Sequence, residues 1–301
     1  MSFTMQVKNE ITSFSFTQTE AIALLCGFVR NNATFIDNGI MLTNENKKII
    51  SFLCDMFDRI QEITYEVNTI QGNNFSKKDL YSILIKNNCD FLISLLCLRK
   101  ETPDFYIVDG NEEARNYLRG VFLAAGSIND PKTSQYHLEL FIAQPTEAVF
   151  VQKILNKFEL NAKLLSRDKG YMIYLKEAEK ISDFLKLLNT TKAVLYYEDM
   201  RAYHEQKNKT NRLNNCEQAN MDRIIETATQ QLGYIQILED NLAVELLDAK
   251  TLEALTYRKK YPEVSLKELS EIISLETGKK ITKSGLNHRF RKIKELASKL
   301  Q

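Results

Sequence analysis

The sequence predicts an α+β protein: a two-lobed domain made of a duplicated αββαββα unit, then an all-α domain ending in a helix-turn-helix. Three observations carry this prediction. An amphipathic helical segment recurs 93 residues later, Leu25-Cys26-Gly27 answering to Leu118-Arg119-Gly120. Each copy is followed by the same alternation of turn-centred β-pairs and helices. The last 23 residues gather eight basic side chains against one acid, Glu295, behind a capping box and a glycine turn.

The first copy opens with the helix Glu20–Asn32, and the second with Glu113–Gly126. A hairpin then turns at Asp37-Asn38-Gly39 in one copy and near Asp130-Pro131 in the other. Helices over Glu45–Ile60 and Thr146–Glu159 follow. A second β-pair is placed at Thr64–Ile70, and at Ala162–Leu175 with its turn at Asp168-Lys169-Gly170. Closing helices are expected over Asp79–Lys86 and Asp90–Leu98 in copy one, and over Glu177–Leu188 in copy two. The lobes span about 20–105 and 112–200, within a domain of residues 1–206.

Residues 207–301 form the second predicted domain, a linker helix followed by the helix-turn-helix. A helix over about Asp248–Lys260 turns Leu252 and Leu255 inward. Ser265 and Glu268 form a capping box for the next helix, whose Leu266, Leu269, Ile272 and Ile273 keep helical spacing. Thr277-Gly278 ends it, and Thr282 caps the last helix, with Leu286, Phe290, Ile293, Ala297 and Leu300 as its apolar stripe. Ser284, Asn287, His288 and Arg291 share another face. Asn can read adenine and Arg guanine in the major groove, while Lys283, Arg289, Lys292 and Lys294 are placed to hold phosphates. The tip carries +7 and the rest of the chain −6, within a net charge of +1. A solvated amphipathic helix would also be basic, but the caps, turn and one-sided charge together favour double-stranded DNA as partner.

At 301 residues and 44% hydrophobic content the chain can build more than one core. No apolar run reaches membrane-spanning length, and MSFTMQVKNEI is too polar for a signal peptide, so no membrane association is expected. Five scattered cysteines (Cys26, Cys54, Cys89, Cys97, Cys216) suit a reduced, cytoplasmic protein. P-loop, GxGxxG, HExxH and CxxC patterns are all missing, and His137, His204 and His288 lie far apart. No cofactor and no bound metal are expected.

The repeat resembles the LAGLIDADG homing-endonuclease fold, with Leu25–Asn32 and Leu118–Gly126 in the place of its signature helices. The opening SFTMQVKNEI, the run NRLNNCEQAN over 211–220, and the tail YPEVSLKELSEII…ITKSGLNHRFRKI resemble the WhiA family of bacterial transcriptional regulators over essentially the whole chain. That resemblance implies sequence-specific DNA binding at the nucleoid in control of sporulation-type development, or of cell division and chromosome segregation. LAGLIDADG nucleases hold metal with one carboxylate at the foot of each signature helix. The equivalent positions are Asn32 and Ala125, which implies a degenerate site, no catalytic residue and no enzyme activity.

The 211–220 run is expected to serve as a hydrogen-bonded junction, with a DNA or partner contact as the alternative. Asp37, Glu62 and Glu66 make the first lobe's strands poor phosphate binders, while Lys163, Arg167, Lys169 and Lys176 favour the second. The lobes are therefore expected either to add weak DNA contacts or to dock a protein partner, the helix-turn-helix tethering such a scaffold to the nucleoid.

Overall fold

Helix α1 (Phe3–Ile11) begins at Ser2, whose side chain accepts from the amide of Met5, and buries Phe3, Val7 and Ile11. The computed structural model describes residues 1–37, 39–60, 63–71, 79–133 and 135–300. Asn38 of the first turn and Glu62 lie outside them. Alpha-carbon contacts divide the chain into two units, 1–205 and 206–301.

In the first unit the repeat is plain. Copy one runs α2 (Gln18–Arg30), β1 (Thr34–Ile36), β2 (Gly39–Asn44), α3 (Lys47–Asp58), β3 (Tyr65–Ile70), β4 (Leu80–Ile85) and α4 (Cys89–Leu95). Copy two runs α5 (Asn111–Ala125), β5 (Gly126–Ile128), β6 (Leu138–Ile142), α6 (Pro145–Lys157), β7 (Lys163–Arg167), β8 (Gly170–Leu175) and α7 (Ala178–Leu187). Each copy folds its strands into an antiparallel sheet, in the orders β1-β2-β4-β3 and β5-β6-β8-β7.

One expectation fails here. Asp79–Lys86 is not a helix, because Leu80–Ile85 forms the inner strand β4, pairing Ile83 with both Leu42 and Val67. A short apolar run cannot be told from helix by periodicity, and pairing on both edges decided it. The β-pair placed at Thr64–Ile70 is thus only the strand β3, whose partner is β4.

Helices α2 and α5 pack back to back, and the period of 93 is written into their contact. A Cβ on Gly27 would lie 2.1 Å from the carbonyl oxygen of Tyr117, and one on Gly120 would lie 2.0 Å from that of Leu24. Both pairs obey the same offset, as a pseudo-twofold axis between the helices requires. Glycine is needed because the two backbones touch. One hydrophobic core runs through both copies, from Phe3 to Tyr197. A buried ion pair crosses between them: Arg30 Nε donates to Glu147 at 2.7 Å, and Tyr117 Oη also donates to Glu147.

Helix α8 (Thr191–Asp240) is 50 residues long. Its first turn is capped from α1, Glu10 accepting from the amides of Lys192 and Ala193 at 2.8 and 3.0 Å. The 211–220 run lies within α8 with every side chain exposed. Its side-chain hydrogen bonds stay within the helix, Asn220 Nδ2 to Cys216 Sγ and Gln218 Nε2 to Asp222 at 2.9 Å, so it is no hydrogen-bonded junction.

Candidate nucleic-acid interface

The second unit is built on α9 (Ala249–Lys260), α10 (Leu266–Thr277) and α11 (Lys283–Ser298), with the last turns of α8. Three caps set the starts of the helices. Asp248 accepts from the amide of Thr251, and that backbone bond, with the Lys292 ammonium beside it, holds its carboxyl down to about 2. Ser265 and Glu268 form the expected capping box. Thr282 accepts from the amide of Gly285. Between α10 and α11 the chain turns at Gly278, whose φ of 69° lies in the left-handed region that favours glycine.

The core joins Leu255, Leu269, Ile273, Leu286, Phe290, Ile293 and Ala297. Two expected core residues turn outward. Leu252 is 40% exposed because the inward stripe of α9 is Thr251, Ala254, Leu255 and Arg258, which leaves Leu252 to one side. Leu300 is 41% exposed because α11 ends two residues earlier.

On α11, Ser284, His288 and Arg291 are exposed and Asn287 is half-buried. Lys283 is exposed at the first position of the helix, and Lys294 stands over the Tyr234 ring, 5.8 Å from its centroid. Two predicted phosphate ligands are engaged elsewhere. Arg289 donates to Glu253 at 2.9 Å and to the Lys250 carbonyl at 3.0 Å, fastening α11 to α9. Lys292 pairs with Asp248 at 3.1 Å, about half-exposed on both sides, a contact that solvent and salt weaken.

In the first unit, Asn32 sits just past α2 with its amide turned into the fold. It donates to the Thr43 carbonyl and accepts from the Thr43 amide, both at 3.0 Å. Ala125 ends α5 and offers no donor. Among the described residues no group of three or more His, Cys, Asp or Glu is gathered where it could hold a metal ion. A feature absent from the sequence reading stands beside this place. Lys8 of α1 is half-buried and donates from Nζ to the Leu123 carbonyl at 3.1 Å, and the desolvation of its ammonium lowers its pKa to about 8. Asp130 accepts from the Lys132 amide, closing the turn after β5, and from Tyr196 Oη of α8.

The cations expected on the second lobe, Lys163, Arg167, Lys169 and Lys176, are exposed. The first lobe presents Asp37, and Glu66 paired with Lys86 at 2.8 Å. Phe35, Val67, Ile70, Phe141 and Leu165 on the strands are also 41–58% exposed. Among the described residues no helix is long and apolar enough to cross a membrane.

Residues 114–207 match the family model for the WhiA LAGLIDADG-like domain, and residues 210–297 that for the WhiA C-terminal HTH domain. The probable cell division proteins WhiA of Staphylococcus aureus strains JH9 and Newman are 36% identical over 310 residues, covering 100% of this chain and 98% of theirs. Full-length DUF199/WhiA from Thermatoga maritima superposes with a TM-score of 0.61 at 20% identity, over 99% of this chain and 98% of that one. The N-terminal LAGLIDADG domain of DUF199/WhiA gives 0.51 at 19% identity, over 62% of this chain and 90% of that domain. The structural likenesses carry the fold, and the family models with the whole-length relatives carry the kinship: the chain belongs to the WhiA family.

Proposed function

We propose that this protein is a sequence-specific, double-stranded-DNA-binding regulator of transcription that acts in cell division, at the nucleoid, without nuclease activity. The carrying observation is the face of α11. Ser284, Asn287, His288 and Arg291 are presented on a helix whose start is capped and whose opposite side is locked into a core by Phe290 and Ile293. That is the disposition of a recognition helix, whose first turns reach base edges. Lys283 and Lys294 flank it for phosphates, Lys292 can exchange Asp248 for one, and Arg289 holds the helix in place. The cell-division role follows the names of the Staphylococcus relatives; sporulation-type development and chromosome segregation are further processes that such a regulator would serve.

Loss of cleavage is supported by the donors themselves. An amide already committed to the Thr43 backbone and an alanine cannot bind a divalent cation. Purified protein incubated with supercoiled plasmid and Mg²⁺ or Mn²⁺ is expected to leave it intact; chelator-sensitive cutting that survives purification overturns this. Genome-wide mapping of bound DNA tests the regulatory role, which fails if occupancy follows no sequence.

A second reading, a scaffold whose lobes dock a protein while the helix-turn-helix tethers it, is favoured by the exposed apolar side chains on both sheets. It predicts that Phe141→Glu and Leu165→Glu abolish the cellular role while leaving DNA affinity unchanged.

A further inference from the structure

The N-terminus of α10 opens into a cleft of about 330 Å³ within the second unit. Arg223 of α8, Arg258 of α9, Lys267 of α10 and Lys283 of α11 line it, with Asn220 beside them. Four cations converge there from four helices, and no acidic side chain lines the cleft. Among the described residues none of the four is ion-paired, whereas Lys259, Lys260, Arg289 and Lys292 of the same unit all are.

Arg258 is the least ordinary of the four. It is 1% exposed, yet it meets no carboxylate. Its Nη1 donates to the carbonyls of Tyr261 and Val264, its guanidinium lies 5.6 Å from the centre of the Phe290 ring, and its Nε is buried with no hydrogen-bond partner. A buried charge with an unmet donor is costly unless an anion completes it. The start of α10 adds the partial positive charge of a helix N-terminus. Glu268 is the opposing charge nearby, but it is folded back onto the Ser265 amide at 2.9 Å.

We propose that this cleft binds a phosphate group, clasped by Arg223, Lys267 and Lys283 over the buried Arg258. Resting on the DNA-binding reading, the inference extends the contact surface from α11 to α8. Asn220 and Arg223 belong to or adjoin the polar run over 211–220, whose side chains are all exposed. A phosphodiester of bound DNA and a free phosphate or nucleotide share this chemistry, and two measurements separate them.

The full chain carrying Arg223→Gln with Lys267→Gln, both exposed positions, is compared with the parent and with Lys209→Gln, a cation of α8 outside the cleft. In the first measurement DNA affinity is followed against salt. Loss of one phosphate contact flattens the log–log slope by about 0.9 on specific and random DNA alike. In the second, thermal melting without DNA is followed against inorganic phosphate, with chloride at matched ionic strength as the control.

A flattened slope confined to the cleft variant assigns the site to the DNA backbone. A phosphate-specific rise in melting temperature, lost in the cleft variant, with an unchanged slope, assigns it to a free phosphate. An unchanged slope together with no phosphate-specific shift overturns the proposal. If the parent binds no DNA at all, the regulatory reading fails, while the melting measurement still decides the cleft.

Discussion

Lys8 carries a pH-sensitive contact between α1 and α5. Its ammonium is held against the last turn of α5, donating to the Leu123 carbonyl at 3.1 Å. Burial lowers it to about 8 from 10.5, so between those values the unfolded chain holds a proton that the folded chain has released. Stability arising from this group therefore rises with pH across about 8 to 10.5, and the cost of burying the charge is fully present below 8. Lys8→Met, similar in volume, removes that dependence. The melting-temperature difference, variant minus parent, is expected to shrink steadily from pH 8 to pH 10; a constant difference overturns the assignment. On α11 the division of labour is equally local. Asn287→Ala or Arg291→Ala is expected to weaken the preferred site by about 1–3 kcal/mol and random DNA much less, at unchanged melting temperature. Phe290→Ala removes a 4%-exposed aromatic and is expected to destabilise the second unit by about 3–5 kcal/mol. Equal losses on specific and random DNA in competition binding would reduce α11 to an electrostatic anchor.

Among the helices, α2 and α5 have the least freedom, because their glycines place backbone against backbone. Gly27→Ala or Gly120→Ala would drive a methyl into a carbonyl of the facing helix, which neither rotamer change nor side-chain motion relieves. Each is expected to destabilise the first unit by about 1–3 kcal/mol or more, read by denaturant unfolding, whereas Gly233→Ala, inside α8 where nothing lies within 4 Å, is expected to keep or slightly raise resistance to urea because Ala favours helix. The fastening of α11 to α9 makes a different prediction. Arg289→Gln strips Glu253 of its partner and is expected to lower the melting temperature while leaving the salt slope of DNA binding nearly intact. A slope that falls by a full unit would return Arg289 to the phosphate contacts.

The charge of the whole chain is close to neutral, yet its last 23 residues carry +7. That concentration is expected to make association with DNA steeply salt-dependent, by about −0.9 in log–log slope for each phosphate neutralised. Lys279 and Lys280, exposed in the turn before α11, have no ion-pair partner among the described residues. Their joint change to Gln is expected to flatten the slope by one to two units with site preference retained, measured by fluorescence anisotropy over a salt series. An affinity indifferent to salt would mean the tip does not meet phosphate.

By itself the sequence determined whatever is decided within a few residues or by a repeat. The caps at Ser265 and Thr282, the turn at Gly278, the stripe of Leu286, Phe290 and Ile293, and the period relating Gly27 to Gly120 all follow from short-range hydrogen bonding and periodicity. Tertiary structure decided the rest. β4 is a strand because β2 and β3 pair with it from both sides, a fact its own apolar run does not contain. α1 owes its place to Lys8, Thr4 and Glu10, whose partners lie more than 100 residues away. Arg289 and Lys292 look like phosphate ligands in one dimension, and are drawn to Glu253 and Asp248, 36 and 44 residues upstream. The cleft at the start of α10 exists only because four helices bring one cation each. Charge and burial act through space, so cations alike in sequence end as a strut or as an unpaired charge according to what the fold sets opposite them.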